Sequence, residues 1–342
     1  MKSIAMFNNK GGVGKTTLVC NLAAYLAIEC KKKILLIDAD PQCNSSTYML
    51  RDDDFYTAYY QNKEFTIYDL LLPLSRGEGF SDKVIINTHS FFGVDLLIGN
   101  PKLATMEDLL ASDWSDVESG KARGTRTSLV FSQALSHFEQ YDYVFFDMGP
   151  SLGAINRAIL LASDYFITPM SPDIFSLLAL ENIGTSIAQW TEQFDTGIEK
   201  LKRVDPHAID GLKENFLIKF IGYVTQQYTS KTVEGQKMPV KAYETIIDHI
   251  PSSIQKNIIT PINGVDIALD YSLGAIPTFN SVIPMSQSAH KPIFTLSSKD
   301  GVVGSHFSKV ASFKQIMETS LDKGTQRKTT ENELPSLTQC TA

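Results

Sequence analysis

FNNKGGVGKTT, Phe7 to Thr17, sets three glycines, Gly11, Gly12 and Gly14, between two lysines, Lys10 and Lys15. The stretch before it, Ser3 to Phe7, is a short apolar run suited to a buried strand. After it, Leu18, Leu22 and Tyr25/Leu26 recur at helical spacing, so a helix follows. Strand, glycine turn and helix together form the context in which such a turn binds phosphate. Glycines let backbone N–H groups turn inward around anionic oxygens, and the helix N-terminus adds partial positive charge. Lys15 would reach the β- and γ-phosphates, and the Thr16 hydroxyl could ligate Mg²⁺. The binding set is then Lys10, Gly11, Gly12, Val13, Gly14, Lys15, Thr16 and Thr17. The pattern G-x-x-x-x-G-K-[ST] asks for glycine where Asn9 stands, and Asn tolerates left-handed backbone best among the other residues. A tight turn without function would give the same glycines, but chance placement of a glycine–lysine cluster between strand and helix is improbable.

The 342 residues are enough for one large α/β unit. Apolar runs fall short of membrane-spanning length, and the first residues lack a secretory apolar segment, so a cytoplasmic chain is expected. The four cysteines show no metal-ligand spacing. The net charge of −7 is uneven: residues 1–197 carry −9 and residues 198–342 carry +2. Contact with a polyanion would therefore fall to the second half.

Two further segments carry carboxylates at strand ends. Lys33-Ile-Leu-Leu-Ile-Asp38-Ala-Asp40-Pro41-Gln42 ends in acids at i and i+2, which a strand points to one side. Tyr143-Val-Phe-Phe-Asp147-Met-Gly-Pro-Ser151 repeats the arrangement. Open α/β sheets bind ligands at the carboxyl ends of their strands. Taken alone, each acid reads best as a cap or a solvated turn residue. Beside a phosphate loop, Asp147 is most economically the acid that orients Mg²⁺ and its water shell.

KGGVGKTT, ILLIDADPQ and YVFFDMGPS resemble the three nucleotide motifs of the ParA/MinD group of deviant P-loop ATPases. TPMSPDIFSLLALENIG (Thr168 to Gly184) and NSVIPMSQSAHKPI (Asn280 to Ile293) resemble later family segments, and the likeness covers most of residues 1–320. DPQ and the lack of a membrane tail are more similar to the ParA branch. The resemblance implies a P-loop fold, α/β with a mostly parallel central sheet flanked by helices on both faces. It implies ATP and Mg²⁺ as cofactors, with Lys10, Lys15 and Asp40 catalytic. Asp38, Asp147 and Thr16 would hold the metal, the two acids through water. Lys10 would be the family's signature lysine, reaching phosphates held by a second copy of the chain in an ATP-dependent homodimer. Pro150 and Ser151 would lie in a loop that senses loss of the γ-phosphate. With no strong general base evident, turnover is expected to be slow.

The family further implies nonspecific DNA as a partner, a nucleoid-associated location and activation by a ParB-like or other protein. Stable membrane binding is not expected. The alternative is a nucleotide-switched positioning protein that acts through a protein partner or membrane without DNA. Lys219, Lys231, Lys237 and Lys241 are candidate phosphate contacts. Three departures from the family stand in Met285, in Ser288-Ala289, and in Gln226-Gln227-Tyr228, where an adenine-reading asparagine is usual.

The chain is expected to form one ATPase unit over 1–322 with polar surface-loop insertions near 112–127 and 195–214. A disordered tail is expected over 323–342. The apolar stripe Phe307, Val310, Phe313, Ile316, Met317 predicts a helix docked on the core, rather than a membrane-surface helix with a denser basic face.

Overall fold

The computed structural model describes residues 1–326 except 62–63, 82, 90, 212, 229, 234–235, 240, 264–269 and 280. The strands are β1 (Lys2–Met6), β2 (Ile34–Ala39), β3 (Asn87–His89), β4 (Val94–Leu97), β5 (Tyr143–Met148), β6 (Tyr165–Met170), β7 (Lys219–Tyr228), β8 (Ser230–Val233), β9 (Gln236–Pro239) and β10 (Ser272–Pro277). Eight of them form one sheet in the order β10-β7-β6-β1-β5-β2-β4-β3. Seven run parallel, and only the edge strand β3 pairs antiparallel, with β4. β8 and β9 form a separate antiparallel hairpin. The mostly parallel sheet matches the expectation from sequence.

Because side chains alternate along a strand, each central strand feeds both layers. Ile4 and Met6 of β1 join one core, together with Ile34 and Leu36 of β2. Ala5 and Phe7, with Leu35 and Ile37, join the other. The first core is covered by the helices Lys15–Ile28 and His306–Gln326, the second by Met106–Glu118, Ala154–Ala162 and Ile174–Val204. Burial on both faces explains why these strands are continuously apolar rather than alternating.

Two segments expected as loops are helical. Residues 112–118 and 122–127 fall within the helices Met106–Glu118 and Ala122–Ser128, and only 119–121 form a turn between them. Met106, Leu110, Trp114 and Val117 are buried at helical spacing, an apolar stripe hidden among acidic and serine neighbours. Residues 195–204 continue the helix Ile174–Val204, with Phe194, Ile198 and Leu201 buried. Only the stretch from Asp205 turns away.

The stripe after Ser305 behaves as a docked helix. His306–Gln326 buries Phe313 and Met317, while Lys309 reaches Ser281 and Lys314 pairs with Glu29. Both cations thus have partners on the body of the fold, Lys314 in an exposed ion pair. The helix extends past residue 322, and residues 327–342 of the expected tail lie outside the described residues. Among the described residues no helix is long and apolar enough to cross a membrane.

The long helix carries two glycines for a steric reason. A Cβ at Gly184 would lie 1.6 Å from the backbone oxygen of Asn257, and one at Gly197 would lie 2.1 Å from that of Val117. Both neighbours are main chain and cannot rotate aside. Gly184→Ala should therefore lower unfolding free energy by about 1–3 kcal/mol or more, despite alanine's better helix propensity. Urea unfolding measures it, and unchanged stability would contradict the close packing.

Candidate functional site

β1 lies between β5 and β6, so the chain leaves its carboxyl end at a topological switch of the sheet. The loop that follows is set by its backbone. Gly12 (φ 73°) and Gly14 (φ 79°) are left-handed, a conformation that favours glycine. Asn9 is not among the positive-φ residues, so its tolerance of that conformation is not what admits it here. Asn8 does the anchoring: its Nδ2 donates to the Pro169 oxygen at 2.7 Å, and its Oδ1 accepts from the Lys10 N–H at 2.9 Å. Val13 is buried, leaving its backbone to the loop, whereas Gly11 and Gly12 are exposed with open space where a Cβ would stand.

Lys15, the first residue of the helix Lys15–Ile28, folds its ammonium back under the loop. It donates to the carbonyl oxygens of Asn8 (3.0 Å) and Lys10 (3.1 Å). Burial lowers its pKa, and the charges of Asp147 and Asp40 oppose that shift. Lys10 takes a different partner, the Asp173 carboxylate at the start of the helix Ile174–Val204.

β5 supplies the acids' geometry. Asp147 is in register with Asp38 on one side and with Met6 on the other. Both carboxylates are fully buried. Asp38 accepts the Ser46 N–H at 2.7 Å, and Asp147 accepts the Ser45 hydroxyl through Oδ2. The second oxygen of Asp147, Oδ1, is buried without a hydrogen-bond partner among the described residues. Asp38 and Asp147 are both pushed above the ordinary carboxylate range, first by burial; for Asp38 the Asp147 charge comes next. Asp40 joins the pair through its main chain, its N–H donating to Asp38 Oδ1 at 3.4 Å, while its own Oδ1 accepts the Gln42 N–H at 2.9 Å.

Lys15, Thr16, Asp40 and Pro150 face one cavity of about 720 Å³, joined by Gln287 from a distant part of the chain. A second cavity of about 370 Å³ shares Gly14 and Thr17 with it and is otherwise lined by Gln226, Pro277, Phe279, Phe313 and neighbours. Gln226 presses on the loop: a Cβ at Gly14 would lie 2.5 Å from its Oε1. Gln227, Tyr228, Lys231, Lys237 and Lys241 have side chains outside the described residues, and Lys219 is exposed at the start of β7.

The segment after Asp147 is held from below. Asn156 donates to the carbonyl oxygens of Gly149 (2.9 Å) and Ser151 (2.7 Å). Glu107 caps the helix Ala154–Ala162 through the Ala154 and Ile155 N–H groups. Arg157 in that helix lies 4.1 Å from the Trp114 ring centre and 5.8 Å from that of Trp190. Sequence reasoning does not single out Asn8, Ser45, Glu107, Gln287 or Asp173 as site residues. For Asp173 a signal exists: Pro172-Asp173 before an apolar helical run is an N-cap pattern.

A carboxylate whose pKa is raised by folding favours the folded state fully below its unfolded value, near pH 4, and loses that advantage as pH rises. Asp38→Asn removes the buried charge and keeps an acceptor for Ser46. The nucleotide-free variant should melt roughly 2–6 °C above the unmodified chain at pH 8, with the gap closing as pH falls towards 4. Calorimetry at both ends of that range checks it; a lower Tm at pH 8 would contradict it.

Known proteins resemble this chain in sequence and fold to different degrees. A virulence-plasmid ParA family protein of Chlamydia psittaci is 30% identical over 186 residues, 54% of this chain and 62% of that protein, so the chain spans less than two thirds of that relative. A solved protein of Corynebacterium diphtheriae superposes with a TM-score of 0.69 at 28% identity, covering 85% of this chain and 97% of that one. The McdA–ATP complex of Cyanothece superposes with a TM-score of 0.58 at 15% identity, covering 94% and 96%, which is a likeness of fold. The family model described as AAA domain matches residues 1–200, more than half of the chain, and the chain belongs to that family.

Proposed function

We propose that this chain is a ParA-type ATPase that binds ATP with Mg²⁺, self-associates face to face, and hydrolyses ATP slowly under partner control. Its task would be plasmid or chromosome partitioning, or the positioning of another cargo. The observation that carries this is the meeting of a lysine-bracketed glycine loop with two buried carboxylates in register, one having an oxygen without a partner among the described residues. The ATP held by the Cyanothece McdA of the same fold agrees with it.

A magnesium ion suits this donor set, because Mg²⁺ takes one or two carboxylates and completes its shell with phosphates and water. Thr16, Asp38 and Asp147 would hold it, the two acids through water. When bound it would neutralise charge on the β- and γ-phosphates. The chain's own groups do the rest. Amides from Gly11 to Thr16 would cradle the phosphates, and Lys15 would exchange its two carbonyl partners for phosphate oxygens. The cavity beside Gln226 and Phe279 has the apolar walls and single amide that suit a nucleobase. Asp40, whose carboxylate lines the cavity, would orient the attacking water. Lys10 would reach across to the second subunit and stabilise charge on the transferring phosphoryl.

Three substitutions separate these roles. Lys15→Ala should weaken ATP binding roughly 10- to 100-fold in a folded chain, as removal of charge-assisted hydrogen bonds does. Lys10→Ala should bind ATP yet stay monomeric, and Asp40→Ala should self-associate and remain so because it cannot hydrolyse ATP. Calorimetric titration and light scattering with ATP measure these; a monomeric Asp40→Ala would remove that carboxylate from the hydrolytic step.

DNA binding should belong to the ATP-bound assembly. Pairing two subunits sets two copies of a weak cationic patch along one duplex, which suits a chain that is only slightly basic in its second half. Joint charge reversal at Lys231, Lys237 and Lys241 should weaken DNA binding and flatten the salt slope by roughly one unit for every DNA phosphate that is no longer neutralised. Fluorescence anisotropy with duplex DNA at two salt concentrations reads both. No affinity at low salt with ATP present would favour a switch that acts through a protein partner, which the overall acidity of the chain already suits.

A further inference from the structure

Lys10 and Asp173 face each other at the mouth of the glycine loop, with side chains 28% and 33% exposed. The two oxygens of Asp173 have different occupations. Oδ1 accepts from the N–H groups of Phe175 (3.0 Å) and Ser176 (3.1 Å), capping the helix Ile174–Val204. Oδ2 pairs with the Lys10 ammonium and also accepts the Ser176 hydroxyl at 3.4 Å. The Lys10 main chain is fixed separately, through its N–H and Asn8 Oδ1. The ammonium can therefore leave Oδ2 without loosening the loop or uncapping the helix. Next to the pair, Ile174, Phe175 and Leu178 are exposed apolar residues on the same helical turns.

We infer that Asp173 is a positioning residue for Lys10: in the nucleotide-free chain its Oδ2 holds the ammonium on its own subunit. This rests on the ATP-dependent self-association proposed above. A carboxylate and a phosphate then compete for one ammonium. Lys10 crosses to a second subunit only when the phosphates held there attract it more strongly than Asp173, so Asp173 raises the ATP concentration at which subunits pair. A half-exposed ion pair suits that task, because it orients a flexible lysine yet exchanges at little cost.

Asp173→Asn tests this, since asparagine caps a helix about as well as aspartate but carries no charge. The first readout is acetylation of Lys10 in the nucleotide-free chain, followed by peptide mass spectrometry and referred to the exposed Lys299. The ratio should rise severalfold in Asp173→Asn and stay near the original in Asp173→Glu. The second readout is light scattering against ATP concentration, where the Asn variant should self-associate at a severalfold lower midpoint. An unchanged Lys10 ratio overturns the inference, as does a raised ratio with the midpoint unchanged or higher. A chain that never self-associates with ATP would instead refute the proposed function, and it is recognised by a labelling ratio that still rises in the Asn variant.

Discussion

Two carboxylates buried side by side set the terms for the rest of this molecule. Strand β5 runs between β1 and β2 in a register that brings Asp147 level with both Asp38 and the end of β1. Such a pair is costly to bury in ionised form, and a hydroxyl from Ser45 and an amide from Ser46 offset only part of that cost. The surroundings are arranged to keep the pair dry and fixed. Gly99 leaves no room for a side chain against Asp38, where a Cβ would lie 2.8 Å from its carboxyl carbon. The apolar strands that carry the acids are locked between two cores. The fold thus holds negative charge at a point that a cation and an anionic ligand can neutralise together.

The lysines answer the same constraint from the loop side. Without a ligand, Lys15 satisfies itself on two carbonyl oxygens of its own loop, and Lys10 on a carboxylate from a helix distant in sequence. Of the two, Lys15 also feels the charge of the buried Asp147. Each has partners of moderate strength that a phosphate oxygen could replace.

Much of this was legible in the sequence because the informative residues are local. A strand, a glycine turn and a helix occupy consecutive positions, and Asp38 and Asp147 each end an unbroken apolar run. What the sequence conceals is of two kinds. Trp114, Val117, Ile198 and Leu201 lie at helical spacing, but polar neighbours and a glycine make their segments look like loops. The cap of Asp173, the clasp of Glu107 on Ala154, and the placement of Gln226 and Gln287 join residues far apart in the chain. No periodicity announces such contacts; only the sheet order brings them together. Asn9 is a subtler case: its residue type suggests a left-handed backbone, whereas the loop places that conformation at Gly12 and Gly14.

Arg157 lies against Trp114 and Trp190, and the chain has two tryptophans in all. Its tryptophan emission therefore comes from a single neighbourhood, where Arg157 of the helix that begins four residues past Pro150 meets the two helices that carry Trp114 and Trp190. A guanidinium close to an indole ring alters its emission, so any shift of that helix relative to its two neighbours changes the signal from both fluorophores at once. Nature has placed an optical gauge on the segment that follows Asp147, readable without a dye or an engineered label.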